Sequence, residues 1–220
     1  MIPLKIDVHV HTTYSDSTAT TDDVIKAAKE KGLDGVAITD HDTIEGAKEA
    51  ISKEGRLIVI SGEEITTLKG HILALGINDP IGRWLPPSVA ISRIHEQNGL
   101  AIIPHPTFPF VSNIHEKEMS KLPIDGVEVF SAATPFAWHY FRRNLKLAGR
   151  LGLPMLAGSD SHFSETVGDA YTIVYAKDKE ESSILKAMKQ GRTDVGCNPS
   201  RFIHKVRMMK NMGLGLLNIE

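Results

Sequence analysis

The chain has 220 residues, of which 41% are hydrophobic and 24% are charged. This length and balance predict one globular domain over residues 1–220 and no extended disordered segment. The 25 Lys and Arg residues against 27 Asp and Glu give a formal net charge of −2, which argues against broad non-specific nucleic-acid binding but permits a small anionic substrate.

The first residues of the chain and its single cysteine indicate where in the cell the protein is expected. The first residues run directly into a strand-like pattern, without a basic and then apolar secretory signal, and no apolar run approaches the length of a membrane span. Cys197 alone cannot form an internal disulfide. We therefore expect a cytoplasmic protein with no membrane association, and no obligate protein partner is evident.

Short apolar, β-branched runs alternate with helix-patterned segments, which is typical of βα units and a mostly parallel sheet. Helices are predicted at residues 21–32, 43–54, 87–97, 135–151 and 179–190, from their capping residues and glycine stops. Eight short strands are typical of a barrel rather than a sandwich. They are predicted at residues 5–10, 35–39, 57–61, 71–76, 100–104, 126–130, 154–157 and 170–175.

Histidine and acidic residues cluster at the C-terminal ends of five of these strands, and in a parallel barrel those ends share one rim. Residues two apart on a strand face the same side, so His9 and His11 can bind one ion. Imidazole and carboxylate together suit zinc, manganese or iron. A single such histidine is more often structural, but burying the whole set without metal would be costly. We therefore predict a metal site.

The chain resembles the PHP (polymerase and histidinol phosphatase) family in a set of short motifs that occur in the family's order over nearly the whole length. The motifs are Asp-Val-His-Val-His at residues 7–11, Ser-Asp at 15–16, Thr-Asp-His-Asp at 39–42, Gly-Glu-Glu-Ile at 62–65, Gly-His-Ile-Leu at 70–73, Pro-His-Pro at 104–106 and Gly-Ser-Asp-Ser-His at 158–162.

The resemblance implies an α/β fold, a distorted (β/α)7 TIM-like barrel, with two or three divalent ions (Mn, Fe or Zn) at the C-terminal ends of the strands. Glu64 is chosen over Glu63 because it precedes Ile65, as the ligand does in the family pattern. The implied first ion is held by His9, His11 and Asp160; Glu64 bridges it to a second ion held by His71 and His105; the third is held by Asp16, His41 and His162.

Other polar residues are given supporting roles. Asp7 is expected to orient a ligand histidine, and Asp40 and Asp42 either do the same or cap the following helix. Glu128 is as consistent with a structural role as with a contact to the site. Solvent-exposed or core roles are expected for His95, His115, His139 and His204.

The predicted function is metal-dependent hydrolysis of phosphate esters, of small phosphorylated metabolites or nucleotides, by a hydroxide held between ions. Arg142, Arg143 and Arg201 are candidates for binding the substrate phosphate. A 5′-directed nuclease acting on short RNA or DNA is the main alternative. A hydrolase of amide or ester bonds and a non-catalytic metal-binding module also stay open. The helical insertion that nucleotide-directed members of the family carry after the His-Ile-Leu strand is reduced here to a short loop and one helix.

Overall fold

The computed structural model describes residues 1–53, 55–109 and 113–197. Strands within these ranges are β1 Ile2–Val10, β2 Gly35–Ile38, β3 Ile58–Thr67, β4 Gly70–Leu75, β5 Leu100–Ile103, β6 Gly126–Ser131, β7 Met155–Gly158, β8 Ala170–Ala176 and β9 Thr193–Cys197. The helices are α1 Thr21–Glu30, α2 Glu45–Ser52, α3 Pro87–Glu96, α4 Glu116–Met119, α5 Ala137–Leu151 and α6 Glu181–Lys189, with one 3-10 turn at Ser164–Thr166.

The strands form one sheet in the order β7-β6-β5-β4-β3-β2-β1-β8-β9, which curls until β7 packs against β1, β8 and β9. Two backbone hydrogen bonds close the seam beside β1: the Asp160 N–H donates to the His9 carbonyl, and the His11 N–H donates to the Ser161 carbonyl. The sheet is therefore a nearly closed barrel, and its seam brings the end of β1 against the segment that follows β7.

The predicted βα alternation is present only in part of the sheet. β1, β2 and β3 pair in parallel, as do β5, β6 and β7, but β4 is antiparallel to both β3 and β5. β8 is antiparallel to β1 and β9. The predicted seven βα units therefore do not describe this mixed sheet of nine strands, although the α/β class and the barrel shape hold.

Strand β3 extends six residues past the predicted end at Ser61 and turns directly into β4. The run Ile-Thr-Thr at residues 65–67 is β-branched and continues the strand, so Glu63 and Glu64 lie within it. Strand β9 was missed because its sequence, Thr-Asp-Val-Gly-Cys, has little apolar character. The four residues of α4 are too few to show helical periodicity.

Each of the five predicted helices is present, with ends shifted by at most two residues. Helix α2 begins at Glu45 instead of residue 43, and the predicted final residue, Glu54, lies outside the described ranges. Helix α5 begins two residues later than predicted. No helix in the described parts of the chain is both long enough and apolar enough to cross a bilayer.

The barrel interior is polar at the end where β1, β2 and β3 finish, here called the top, and apolar beneath it. Leu4, Ile6 and Val8 of β1 pack with Ile60 and Leu73 from β3 and β4 in an inner cluster. A register shift between Asp7 and Val10 changes the pairing of β1 with β2. Val10 faces outward and packs in a different cluster, under α1 and α2. The side chains of His9 and His11 are thereby turned to the top of the interior.

Candidate metal centre

The structure brings all nine predicted ligand residues together at one end of the barrel. His9 lies in β1, Glu64 in β3 and His71 in β4. The other six lie in the segments that follow the strands: His11 and Asp16 after β1, His41 after β2, His105 after β5, and Asp160 and His162 after β7. An isolated bridge pairs His41 with Glu64 and aligns the end of β2 with the middle of β3.

Glu64 is the centre of the cluster. Its Oε2 atom lies 3.2 Å from His9 Nε2, 3.3 Å from His11 Nε2 and 3.5 Å from His41 Nδ1. Its Oε1 atom lies 2.9 Å from His71 Nδ1 and 3.2 Å from His105 Nε2. One carboxylate thus faces five imidazole rings, and each of its oxygens has a separate set of nitrogen partners.

Glu63 points to the other face of β3, as the alternation of strand side chains requires. Its Oε1 accepts a hydrogen bond from the Ile81 N–H, and burial raises the pKa of this carboxyl to about 7, in spite of that bond. Glu63 is therefore part of the outer packing layer under α3 and takes no part in the cluster.

The donor atoms of His9, His11 and Glu64 are spaced as ligands of a single cation would be, and Asp160 lies beside both imidazole rings. The two Nε2 atoms are 3.0 Å apart, and each lies 3.5 Å from Asp160 Oδ1. Ligands placed ~2.1 Å from a tetrahedral ion are separated by about 3.4 Å. The other ring nitrogen of His11, Nδ1, is buried without a hydrogen-bond partner among the described residues and faces Asp16 Oδ1 at 3.9 Å, on the side away from this cation. The residues present therefore fit a metal ion.

Two further groups can hold ions beside the first. His11, Asp16, His41 and His162 form one, in which His162 Nε2 lies 3.2 Å from Asp16 Oδ1; His41, Glu64 and His71 form the other. His105 joins the second group through Glu64 Oε1. This arrangement differs from the implied division of ligands, because His11 and His41 each belong to two groups.

The charges of the cluster compensate one another. Burial by itself would raise the pKa values of Glu64 and Asp160, but the surrounding histidines lower both below the usual carboxyl range. Burial opposes a charge on His11 too, yet Asp160 and Glu64 raise its pKa to about 10. The carboxylates are therefore ionised, and the site attracts positive charge, as protons or as metal ions.

Backbone strain accompanies the cluster. His105 and Asp160 have positive φ angles of 30° and 54°, which non-glycine residues adopt rarely and mainly where the surrounding structure enforces them. Gly158 permits the close approach of β7 to β1, since a Cβ atom there would lie 2.5 Å from the His9 Cβ atom. The ligand positions are thus maintained by the fold against local preference.

Glu128 is the functional residue that the sequence analysis left undecided. It is completely buried in β6, where Oε1 lies 3.1 Å from His9 Nδ1 and Oε2 accepts the His105 N–H at 2.9 Å. A proton on His9 Nδ1 directs its Nε2 atom to the cluster. The available signal was an acid in an otherwise apolar strand, Gly-Val-Glu-Val-Phe-Ser.

Asp7 supports the backbone of the site and contacts no histidine ring. Asp7 accepts the N–H groups of Ser159 and Gly168 at 2.8 Å and that of His9 at 3.3 Å, and burial raises its pKa to about 6. Asp7 therefore supports the backbone of His9 and does not contact its ring.

Asp40 and Asp42 each stabilise a segment next to the cluster: Asp40 the loop that carries Asp16, and Asp42 the C-terminal part of β3. Asp40 accepts the Thr12 N–H at 2.6 Å and the Ser15 hydroxyl at 2.7 Å. Asp42 accepts the Thr66 N–H at 2.7 Å. These bonds replace the helix-capping role that was one of the two expectations for Asp40 and Asp42.

None of the remaining basic candidates among the described residues contacts the cluster. Arg142 and Arg143 are exposed on α5, with no hydrogen bond or ion pair to the described residues, and Arg201 and His204 lie outside the described ranges. His115 and His139 are exposed. His95 pairs with Asp125 at 2.7 Å, away from the metal centre.

The cluster is open to solvent on one side. His9, His11 and Glu64 are at most 2% exposed at the side chain, whereas Asp16 is 51%, His41 29% and His71 19% exposed. Among the described residues, these last three therefore form the side from which a substrate can approach, beside the loops that follow β1 and β2 and the β3–β4 hairpin.

Comparisons with known proteins agree with this architecture. A family model described as PHP-associated matches residues 138–193. The uncharacterized protein MJ1587 of Methanocaldococcus jannaschii is 41% identical over 142 residues, which cover 59% of this chain and 82% of that protein. A two-domain protein of Bacteroides vulgatus that contains a predicted PHP-like metal-dependent phosphoesterase has a similar fold, with a TM-score of 0.70 at 20% identity, over 90% of this chain and 65% of that one.

Two shorter matches are to enzymes. The phosphoribosyl 1,2-cyclic phosphate 1,2-diphosphodiesterase of Eggerthella lenta is 36% identical over 81 residues, 33% of this chain and 31% of that enzyme. The 5′-3′ exoribonuclease Rnm of Escherichia coli is 41% identical over 80 residues, 33% of this chain and 27% of that enzyme. The chain thus matches less than a third of the length of either enzyme. Taken with the fold and the ligand cluster, these likenesses show that the chain belongs to the PHP family of metal-dependent hydrolases, which act on phosphoester bonds.

Proposed function

We propose that this protein hydrolyses phosphate esters of small phosphorylated metabolites or nucleotides, with two or three Mn, Fe or Zn ions held by the nine clustered residues. The observation that carries the proposal is Glu64, one buried carboxylate between two sets of imidazole nitrogens. Divalent ions bound there would polarise phosphoryl oxygens and lower the pKa of water enough for attack at neutral pH.

The residues of the chain divide the remaining tasks. The buried rings of His9, His11 and His105 and the carboxylates of Glu64 and Asp160 set the positions of the ions. Asp16, His41 and His71 form the open side and determine how a phosphoryl group approaches. The closed apolar core beneath the cluster excludes water from the opposite side, which strengthens electrostatic interactions within the site.

The test is phosphate release from a panel of phosphomonoesters, cyclic phosphodiesters and nucleotides after reconstitution with Mn, Fe or Zn, with chelator-treated protein for comparison. We expect turnover that the chelator abolishes and that His9→Ala and Asp160→Ala reduce by at least ~100-fold. His115→Ala is the matched control, because His115 is exposed and lies outside the cluster. If no substrate turned over with any metal, the proposal would have to be abandoned.

A 5′-directed nuclease is the second candidate, and two observations favour it. The match to the Escherichia coli exoribonuclease reaches 41% identity over 80 residues, and between β4 and β5 the chain has only a short loop and the ten residues of α3, so this connection provides no large cap over the metal centre. Cleavage of 5′-phosphorylated oligonucleotides whose binding weakens steeply with salt would favour the nuclease. Turnover confined to mononucleotides would exclude it.

A further inference from the structure

Asn144 is a buried amide on the side of α5 that packs against the barrel. It is 3% exposed, and the other buried residues of the same helix are apolar: Ala137, Leu147 and Ala148. Moving an amide out of water costs free energy unless the group forms hydrogen bonds. A leucine at this position would avoid that cost, so packing alone does not explain the asparagine.

Both polar atoms of the Asn144 side chain have partners outside α5. The Nδ2 atom donates to the Val129 carbonyl of β6 at 3.2 Å, and the Oδ1 atom accepts the Thr107 hydroxyl, after β5, at 2.6 Å. A carbonyl can only accept, so Nδ2 must face Val129, and the Thr107 hydroxyl must then donate to Oδ1. One side chain of α5 thus joins two separate segments of the barrel.

The first of these segments is a bulge in β6. Between Glu128 and Phe130 the pairing of β6 with β7 advances by two residues in β6 but by only one in β7, so Val129 is the extra residue. An extra residue disrupts the regular ladder and re-aims the side chains beside it. The amide of Asn144 is bonded to the carbonyl of this extra residue. Asn144 therefore stabilises the bulge.

The bulge explains how two side chains of β6 that are three residues apart reach the same site. In a regular strand, residues three apart face opposite sides. Glu128 nevertheless contacts the His9 ring, and the Ser131 hydroxyl donates to Asp160 Oδ2 at 3.3 Å. Phe130, between them, faces outward and packs against α5. Without the bulge, Glu128 and Ser131 could not both face the ligands.

The second segment is the turn that begins with the ligand residue His105. The Phe108 N–H closes this turn by donating to the His105 carbonyl at 3.1 Å, and Thr107 lies within it. His105 has a positive φ of 30°, a conformation that persists only where the surrounding structure enforces it. The hydrogen bond from Thr107 to Asn144 anchors the turn to α5.

We infer that Asn144 is a positioning residue of the metal centre, because it holds both the β6 bulge and the turn that carries His105. Its own hydrogen bonds go to Thr107 and Val129, not to any of the nine predicted ligands. Its effect passes through Glu128, whose two oxygens contact the His9 ring and the His105 N–H. The inference rests on the metal centre of the proposed function, but it does not depend on which ester is hydrolysed.

Metal affinity, measured by competition with a chromogenic chelator, tests this role without turnover. Asn144→Leu keeps a similar volume and removes both hydrogen bonds, so we expect metal binding to weaken about 10-fold. Thr107→Val removes one of the two bonds and should reproduce part of that loss. Thr107→Ser keeps the hydroxyl and should bind metal as the native protein does. Native affinity in Asn144→Leu, or equal affinities in the two Thr107 variants, would overturn the inference.

Asp125→Asn is the matched control for a loss of stability. Asp125 is also a buried polar side chain that joins a helix to a strand, but it lies at the other end of the barrel. This variant should lower the free energy of unfolding and leave metal affinity unchanged. If metal affinity fell in proportion to stability in both Asp125→Asn and Asn144→Leu, Asn144 would have only a structural role.

A double-mutant cycle tests whether Asn144 acts through Glu128. The variant that combines Glu128→Gln with Asn144→Leu should lose little more metal affinity than Glu128→Gln alone, because both changes disturb the same contacts with His9 and His105. Fully additive losses would contradict this route. If the native protein itself bound no metal, the proposed function would be contradicted, and the inference would fall with it.

Discussion

At the scale of single residues, the candidate metal centre is supported by side chains that are not among the predicted ligands. Glu128 contacts two ligands at once, the ring of His9 and the backbone of His105, and it is completely buried. Because its two oxygens accept from two different donors, one carboxylate sets both the tautomer of His9 and the backbone position of His105. Such contacts commonly change metal affinity by 10- to 100-fold.

Replacing Glu128 with glutamine should weaken metal binding. An amide has one accepting oxygen, so either His9 Nδ1 or the His105 N–H loses its partner. We expect metal affinity to fall by about 10- to 100-fold in a competition titration with a chromogenic chelator, with the fold retained. Glu116→Gln is the control, since Glu116 forms an exposed ion pair with Arg150. Equal affinities for the two variants would show that Glu128 does not position the ligands.

At the scale of elements, the buried carboxylate of Asp125 connects helices and strands at the end of the barrel opposite the metal centre. Asp125, just before β6, pairs with His95 in α3 at 2.7 Å and with Lys189 in α6 at 2.9 Å, and it accepts the Ala101 N–H of β5 at 3.0 Å. One carboxylate therefore joins two helices to two strands. Burial alone would raise the pKa of Asp125, but the Ala101 N–H, Lys189 and His95 lower it.

The lowered pKa gives Asp125 a pH-dependent contribution to stability. The charged carboxylate stabilises the folded state above the ordinary aspartate pKa of 3.8, and this contribution is lost as the pH falls through the lower folded value. Asp125→Asn should therefore reduce the free energy of unfolding at pH 7 by about 1–3 kcal/mol, measured by urea denaturation. The difference between variant and native protein should narrow in acid, and a constant difference at all pH values would contradict the assignment.

At the scale of the whole molecule, the barrel concentrates its polar groups at one end. Six of the nine predicted ligand residues are buried, next to the apolar interior of the barrel. Burial of so many ionisable groups is tolerated because the carboxylates and histidines face one another. A bound cation would stabilise only the folded arrangement, since the ligands come from segments far apart in the chain.

Metal removal should therefore destabilise the entire protein. A metal present at about 100 times its dissociation constant adds roughly 2.7 kcal/mol to the free energy of unfolding, which corresponds to ~5–10 °C in Tm for a chain of this size. Differential scanning calorimetry with and without chelator measures the shift. The His9→Ala variant should show a smaller shift in Tm. An identical Tm of the native protein with and without chelator would argue against metal binding by the cluster.

The sequence by itself determined the α/β class, the βα alternation around β1, β2 and β3, and the residue types at the strand ends. These features could be predicted because periodicity, capping residues and motifs such as Asp-Val-His-Val-His are local. Local alternation places Glu63 and Glu64 on opposite faces of β3, and the choice of Glu64 rested on the resemblance to the family's motif. The assignment of the nine residues as metal ligands and of Arg142, Arg143 and Arg201 as phosphate-binding residues stays a prediction.

Only the tertiary structure decided the antiparallel pairing of β4, the addition of β9 to β8 and the seam between β1 and the segment after β7. These depend on which strands meet, and a strand pattern does not specify its partners. The contact between His9 and Glu128 joins residues 119 positions apart. His11 and His41 each belong to two candidate metal-binding groups because of the distances between separate loops. Those distances are set when the sheet curls into a barrel and brings the loops together.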